Sequence, residues 1–384
     1  MSWKKFQIVL FIEQFLIKGW EIGILLLLPI LLLQGKISLF ELGVLSTVLS
    51  ISQFGASLFS GKIMNRLGNK KMMLMSIVLG VAPWMILGIK PNIAVMVLLY
   101  LLTGASSGLF ETCGVSITAK SLGQGKRSEG LGTLAMMGDA GRILFTAMTT
   151  ITVAYFGLST FSALNLLLGI IVLLVLFFKL EEIQIDKDIV IETKIKSSKI
   201  IKYFKNKNLV VGYIVSWLDS FSSASLFIFL PLLFASKGLP YEESGFLSVL
   251  LFVGYMMGRK VLGKLADKIG TLKTLMIGET FMAVVILAII LSNNFFVLMF
   301  LLLLLGLATR GTSPVCKALI ADAIPDELSM DHGLAIGQSG SRLAGIISRP
   351  IFSGVAGLWG IPWVFAISAI SALLINVPLR MKKY

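Results

Sequence analysis

Residues Gly61 to Lys71 read GKIMNRLGNKK, and residues Gly263 to Lys273 read GKLADKIGTLK. Gly61, Lys62, Gly68 and Lys71 recur as Gly263, Lys264, Gly270 and Lys273, a constant offset of 202. Working outward at that offset, Pro29 matches Pro231, Glu41 matches Glu243, Gly43 matches Gly245, Leu45 matches Leu247 and Ser46 matches Ser248. At an offset of 203, Ala105 matches Ala308, Gly108 matches Gly311 and Cys113 matches Cys316. Leu and Gly matches are cheap in an apolar chain, but a run in one register over two helices and a turn marks an internal repeat. Two halves in parallel repeat are the architecture of transporters that rock about a central site.

The 384 residues are 56% hydrophobic and 14% charged, where soluble domains carry about 25% charge. Mean hydropathy is +0.91, and a single soluble domain cannot hide that much apolar surface. A bilayer core takes about 20 apolar residues per helix. Twelve segments qualify: 6–33, 39–61, 72–89, 93–118, 131–155, 158–179, 209–235, 242–262, 274–291, 295–320, 333–357 and 360–379. Residues 1–5 precede an apolar stretch too long for a signal-peptide core, so 6–33 is read as the first span. The expected fold is therefore an all-α integral membrane protein of twelve transmembrane helices in two pseudo-symmetric six-helix bundles. The N-terminal bundle is 1–179, a cytoplasmic linker rich in both charges is 180–207, and the C-terminal bundle is 208–384. Within the linker, Lys196, Lys199, Lys202 and Lys205 alternate with Ile200, Ile201 and Phe204, which suits a flexible basic linker as well as a short helix on the membrane surface.

A formal net charge of +14 can signal nucleic acid, but here the charges lie in short joints between apolar helices and report topology instead. With the N-terminus inside, 23 of the Lys and Arg residues, Lys62, Arg66, Lys70 and Lys71 and the eight lysines from Lys179 to Lys207 among them, fall on the cytoplasmic side. Lys36, Lys90 and Lys237 fall outside. The positive-inside rule then places both termini in the cytoplasm. Cys113 and Cys316 lie in apolar segments with no metal or disulfide spacing, and read as packing residues. His332 reads as a solvated loop residue.

The two quoted stretches resemble the glycine–acid–basic–glycine signature between helices 2 and 3 of the major facilitator superfamily, and its weaker copy between helices 8 and 9. The likeness covers the whole chain in helix count, long central joint and placement of both signatures. It implies that Gly61, Asn65, Arg66 and Gly68, with Gly263, Asp267, Lys268 and Gly270, latch the two halves on the cytoplasmic side. An acid there can cap a helix N-terminus, and basic residues stay at the anionic inner leaflet. Asp267 supplies the acid in the second copy, with residues 129–133 as its expected partner. Asn65 stands in its place in the first, so that latch lacks a charge.

An ionisable group at bilayer depth costs roughly 2.5–3.5 kcal/mol on insertion scales, so each asks for a partner or a task. Glu13, Lys18 and Glu21 lie in the first segment, Glu111 in the fourth, Asp139 and Arg142 in the fifth, Asp219 in the seventh, Glu279 in the ninth, Arg310 in the tenth, and Arg342 and Arg349 in the eleventh. The resemblance implies that segments 1, 4, 7 and 10 face a central cavity. The substrate and proton pathway is accordingly assigned to Glu13, Lys18, Glu21, Glu111, Asp139, Arg142, Asp219, Arg310 and Arg342. Lys18 and Glu21, three apart on one helix, can pair; Glu111 with Arg142 is a candidate structural pair; Glu279 reads mainly as structural.

The first half sets Glu13, Glu21, Glu111 and Asp139 against Lys18 and Arg142, and the second sets Asp219 and Glu279 against Arg310, Arg342 and Arg349; a cavity negative on one wall and positive on the other suits a zwitterion, or an anion moved with a proton. A buried acid holds its proton more tightly than one in water, which makes H+ the expected coupling ion; no other cofactor is expected. The reading is thus a secondary transporter of the cell membrane, moving a small charged or zwitterionic organic solute by alternating access. The expected partners are that solute and membrane lipids, not nucleic acid, and the chain is expected to be a monomer. A multidrug efflux antiporter and an amphiphile flippase are the alternatives, although segment 5, GTLAMMGDAGRILF, has no proline where drug antiporters of the superfamily often have a glycine–proline pattern. An enzyme would need a nucleophile, metal or paired-carboxylate cluster at the membrane surface, and a channel a visible filter; neither is evident. The topology has a direct check. A membrane-impermeant thiol reagent added outside should label Lys36→Cys and Lys237→Cys but not Lys70→Cys or Lys199→Cys; the inverse pattern would reverse the orientation.

Overall fold

In the computed structural model the described residues are 3–87, 92–121, 127–179, 206–223, 226–321 and 330–381. They are helical almost throughout: α1 Trp3–Leu33, α2 Leu39–Leu87, α3 Ile93–Ser121, α4 Arg127–Lys179, α5 Lys207–Ser223, α6 Leu226–Ser236, α7 Tyr241–Ile269, α8 Thr271–Leu291, α9 Phe295–Ala321, α10 Met330–Trp359, α11 Ile361–Leu374 and α12 Asn376–Met381. Two of these each hold two spans. α2 turns at Gly68, with φ 81° and ψ 165°, and α4 turns at Gly157, with φ 82° and ψ 169°. Segment 7 corresponds to α5 and α6, and segment 12 to α11 and α12, so the described helices accommodate the twelve segments.

The two quoted stretches differ from their reading as joints between segments. Helix α2 continues through Gly61 to Leu67, and α7 runs to Ile269. The chain reverses at one residue in each half, Gly68 and Gly270, the latter with φ 89° and ψ 155°. That corner of φ/ψ space is open essentially to glycine alone, so a single matched glycine makes each turn and frees its neighbours to stay helical. His332 likewise lies within α10 by its backbone rather than in a loop, its side chain being outside the description.

The chain divides into two compact units, Met1–Lys36 with Val44–Glu192, and Ile37–Gly43 with Thr193–Tyr384. In the first, α1 packs on α3 and α4. In the second, α9 packs on α7, α8 and α5, and α5 also packs on α10 and α11. The interfaces are built on small residues. A Cβ added at Gly104 of α3 would lie 2.3 Å from the Leu49 carbonyl oxygen, and one at Gly108 would lie 2.3 Å from that of Gln53. In the second unit a Cβ on Gly306 of α9 would lie 2.1 Å from the Leu251 carbonyl. Gly104 and Gly306, like Leu49 and Leu251, are 202 residues apart, so the repeat read from the signature stretches extends to backbone contact. In lipid, such close approach is what holds helices together.

The apolar surface faces outward. Leu291 is 83% exposed, Leu358 79% and Phe296 76%, a surface that hydrocarbon tolerates and water does not. Among the described residues ten stretches are long and apolar enough to cross a membrane. Segments 5 and 11 are not among them; segment 5 is diluted by Asp139 and Arg142, and segment 11 by Arg342 and Arg349. At the helix ends, Ser38 and Glu41 form a reciprocal capping box on α2, Ser38 N–H donating to Glu41 Oε2 at 2.7 Å and Glu41 N–H to Ser38 Oγ at 3.2 Å. Lys237 closes the end of α8 by donating to the Ile290 and Ser292 carbonyls at 2.8 and 2.7 Å; partial burial holds its ammonium below the usual lysine range.

The packing can be tested by adding one methyl. Gly258→Ala would place it 2.1 Å from the Leu307 carbonyl oxygen, and overpacking of this kind costs roughly 1–3 kcal/mol. Gly55→Ala meets nothing within 4 Å and should be neutral, or stabilising by roughly 0.5–1 kcal/mol. Thermal unfolding in detergent reads both. A Gly258→Ala protein as stable as the parent would show that α7 and α9 do not touch there.

Candidate functional site

The first unit gathers most of the charged residues singled out in its sequence. On α1, Lys18 and Glu21 are one turn apart, and the Lys18 ammonium donates to Glu21 Oε2 at 2.9 Å. It also donates to Ser107 Oγ of α3 at 2.8 Å and lies 3.5 Å from Glu111 Oε2. The Ser107 hydroxyl in turn donates to Glu21 Oε2 at 2.5 Å. Gln53 of α2 completes the set, its amide donating to Ser107 Oγ at 3.2 Å and to Glu111 Oε2 at 3.3 Å. Three helices thus share one network of a cation, two carboxylates, a hydroxyl and an amide. Burial is graded across it: the side chain of Lys18 is 6% exposed, that of Glu21 12%, and that of Glu111 41%. Glu111 is the network's most exposed ion.

Beside it, Arg142 on α4 donates to Asp139 Oδ1 at 2.6 Å, with Asp139 fully buried. The Arg142 charge also acts on Glu21, tying this pair electrostatically to the network. α4 comes close enough because Gly141 lies against the Phe15 carbonyl, where a Cβ would sit 2.0 Å away. Glu13 stands apart, fully buried on α1. One oxygen accepts from Ser76 Oγ at 2.6 Å, and the other has no hydrogen-bond partner among the described residues.

In the second unit Asp219 of α5 is buried, and its Oδ1 accepts from Thr312 Oγ1 of α9 at 2.6 Å. Its carboxyl is also within hydrogen-bonding reach of the Glu279 carboxyl of α8. Arg310, two residues before Thr312, is exposed and sits over the Tyr255 ring at 5.7 Å, a cation–π distance. Its charge acts on Asp219. Arg342 is half-buried on α10. The two units therefore carry buried carboxyls on equivalent helices: Glu13 on the first span against Ser76 on the third, and Asp219 on the first span against Glu279 on the third.

The signature residues occupy the helix ends described above. Arg66 is exposed, as are Asp267, Lys268 and Gly270, while Gly263 is half-buried. The side chain of Asn65 and those of 129–132 lie outside the described residues, and with them most of the expected partner of Asp267. Sequence reasoning missed Gln53, Ser76, Ser107 and Thr312, because a neutral polar residue in a helix carries no signal of rarity. It named Glu279 as an intramembrane charge but left it out of the pathway, although its acidity at that depth was the signal. Among the described residues no cluster of ligands could hold a metal ion.

Comparison with known proteins accords with this architecture. A sequence profile of the Major Facilitator Superfamily matches residues 10–233 and again 212–381. The chain is 27% identical over 329 residues to the multi-drug resistance efflux pump PmrA of Streptococcus pneumoniae, covering 83% of this chain and 80% of that one. It is 24% identical over 303 residues to a PmrA homolog of Lactococcus lactis, covering 77% and 74%. In three dimensions it resembles a D-xylose–proton symporter with a TM-score of 0.75 at 16% identity, over 96% of this chain and 97% of that one. A double profile match spanning nearly every helix, on a fold of repeated six-helix units, leaves one assignment: the chain belongs to the major facilitator superfamily, and is a multi-pass membrane transporter rather than an enzyme.

Proposed function

We propose that the protein is a proton-coupled secondary transporter of a small organic solute bearing a cationic group, alone or within a zwitterion. The observation that carries this reading is the graded network of Lys18, Glu21 and Glu111. Glu21 is matched by Lys18, Ser107 and the nearby Arg142 charge, so its carboxylate is already paired. Glu111 lies 3.5 Å from the Lys18 ammonium, accepts from Gln53 and is 41% exposed, so an incoming ammonium or proton can reach its carboxylate. Competition between the two for one carboxylate is the simplest chemistry that exchanges a cation for H+. Alternating access by the two repeated units would carry each across in turn.

A second reading, multidrug efflux by antiport, is favoured by the pneumococcal and lactococcal relatives, both named efflux pumps. It shares the Glu111 chemistry and differs in breadth, since a multidrug pump accepts several unrelated lipophilic cations at one site. Competition among such cations in a binding assay on purified protein separates the readings. One solute that resists displacement by the others supports a dedicated transporter.

Glu111→Gln keeps the shape and hydrogen-bonding capacity of the side chain and removes its charge. A lost charge-assisted contact is worth about 1.5–3 kcal/mol, so affinity for a cationic solute should fall about 10- to 100-fold. Solute binding at fixed pH, measured calorimetrically on purified wild type and variant, checks this. Equal affinities would remove Glu111 from solute recognition.

A further inference from the structure

We propose that Asp219 and Glu279 form a proton-binding site in the second unit, the two carboxyls holding one proton between them. The inference extends the proton-coupled reading above, but it rests on separate residues and has a readout that needs no transport.

Glu279 is fully buried on α8, and among the described residues both of its carboxyl oxygens lack a hydrogen-bond donor. Its polar neighbours are the Asp219 carboxyl and the Thr312 hydroxyl. Thr312 has one hydrogen to give, and Asp219 Oδ1 at 2.6 Å and the Thr309 carbonyl at 3.1 Å already compete for it. An ionised carboxylate has only acceptors. With both acids ionised, Glu279 would be a buried anion facing a second anion with no donor between them, an arrangement two adjacent carboxylates do not sustain. One added proton resolves it, since the protonated carboxyl donates to the ionised one and both side chains are satisfied.

The surroundings favour a single net charge on the pair. Arg310 is the cation whose charge reaches Asp219. On α5 to α12 the other described charged side chains are Lys207 of α5, Glu243, Arg259, Lys260, Lys264, Asp267 and Lys268 of α7, Lys273 of α8, Arg342 and Arg349 of α10, and Arg380 of α12. One arginine acting on Asp219 matches a pair that keeps one negative charge and binds one proton. A metal cation is a poorer occupant: hard cations such as Ca2+ take about 6–8 oxygen ligands, and the site offers two carboxyls and one hydroxyl. The acids lie on α5 and α8, and Thr312 on α9, so gain or loss of the proton changes how three helices of one unit are held together.

The test is difference infrared spectroscopy of the purified wild-type protein in detergent, following the carbonyl stretch of a protonated carboxylic acid and its shift in deuterated water. The wild type should show this band at neutral pH and lose it in alkali. Glu279→Gln and Asp219→Asn should each lack it; each replaces the shared proton with an amide hydrogen that can donate to the remaining acid, so both should fold. If either fails to fold, wild-type protein labelled with 13C-glutamate or 13C-aspartate identifies the band by its isotope shift. Absence of the band, its survival in both variants, a shift with neither label, or its removal by sodium at constant pH would overturn the proposal. A pH-titrating band in a protein whose transport ignores the pH gradient would leave this site standing and sink the coupling reading instead.

Discussion

Lys18 is an ammonium on a helix that crosses hydrocarbon, and its residue is only 5% exposed. Water cannot solvate it there, so its partners must come from the protein, and they come from two helices. Glu21 on its own helix supplies one contact; Ser107 and Glu111 on α3 supply the others. A buried ion pair is a weak source of net stability because desolvation offsets much of the attraction. Its effect is to fix register: α1 and α3 cannot slide past each other without stranding a charge in lipid. On α4 the Asp139–Arg142 pair lies within one helix, and the Arg142 charge acts on Glu21.

That network depends on glycine. Ser107 and Glu111 occupy one ridge of α3, and Gly104 and Gly108 occupy the neighbouring one. Because Gly108 lets α3 rest against the Gln53 carbonyl, the Gln53 side chain reaches both Ser107 and Glu111. A larger residue at 108 would push α2 away and open the amide bridge. Packing and polar chemistry are therefore two results of one close approach. The second unit repeats the approach at Gly306 and Leu251, and then diverges, carrying carboxyls on α5 and α8 where the first unit has a single buried Glu13 against a serine.

Most of the architecture was legible because hydrocarbon imposes a simple rule on composition, and because duplication left Gly68 and Gly270 in register. Their offset predicted two matched turns, and a backbone conformation reserved for glycine explains why those positions match. The helical reach of Gly61–Leu67 was not legible, since a basic, glycine-bearing stretch reads as loop when only one of its glycines turns the chain. At the site, charged residues announced themselves by their rarity in apolar segments, and the i, i+3 spacing of Lys18 and Glu21 foretold their pairing. What joins them did not: Gln53 and Ser107 are 54 residues apart, and nothing in a single sequence says that α2 and α3 meet at that level. Glu279 was visible as a charge, but its nearness to Asp219 across 60 residues of chain is a fact of folding alone.

The central claim is that carboxyl chemistry in the membrane couples solute movement to H+. Its most direct test is transport by the purified protein in proteoliposomes holding a cationic solute, with a pH gradient imposed and the membrane potential clamped. The account predicts that solute flux follows the sign of the pH gradient and collapses when a protonophore dissipates it. Flux that is indifferent to the pH gradient, or that follows a sodium gradient at constant pH, would contradict it.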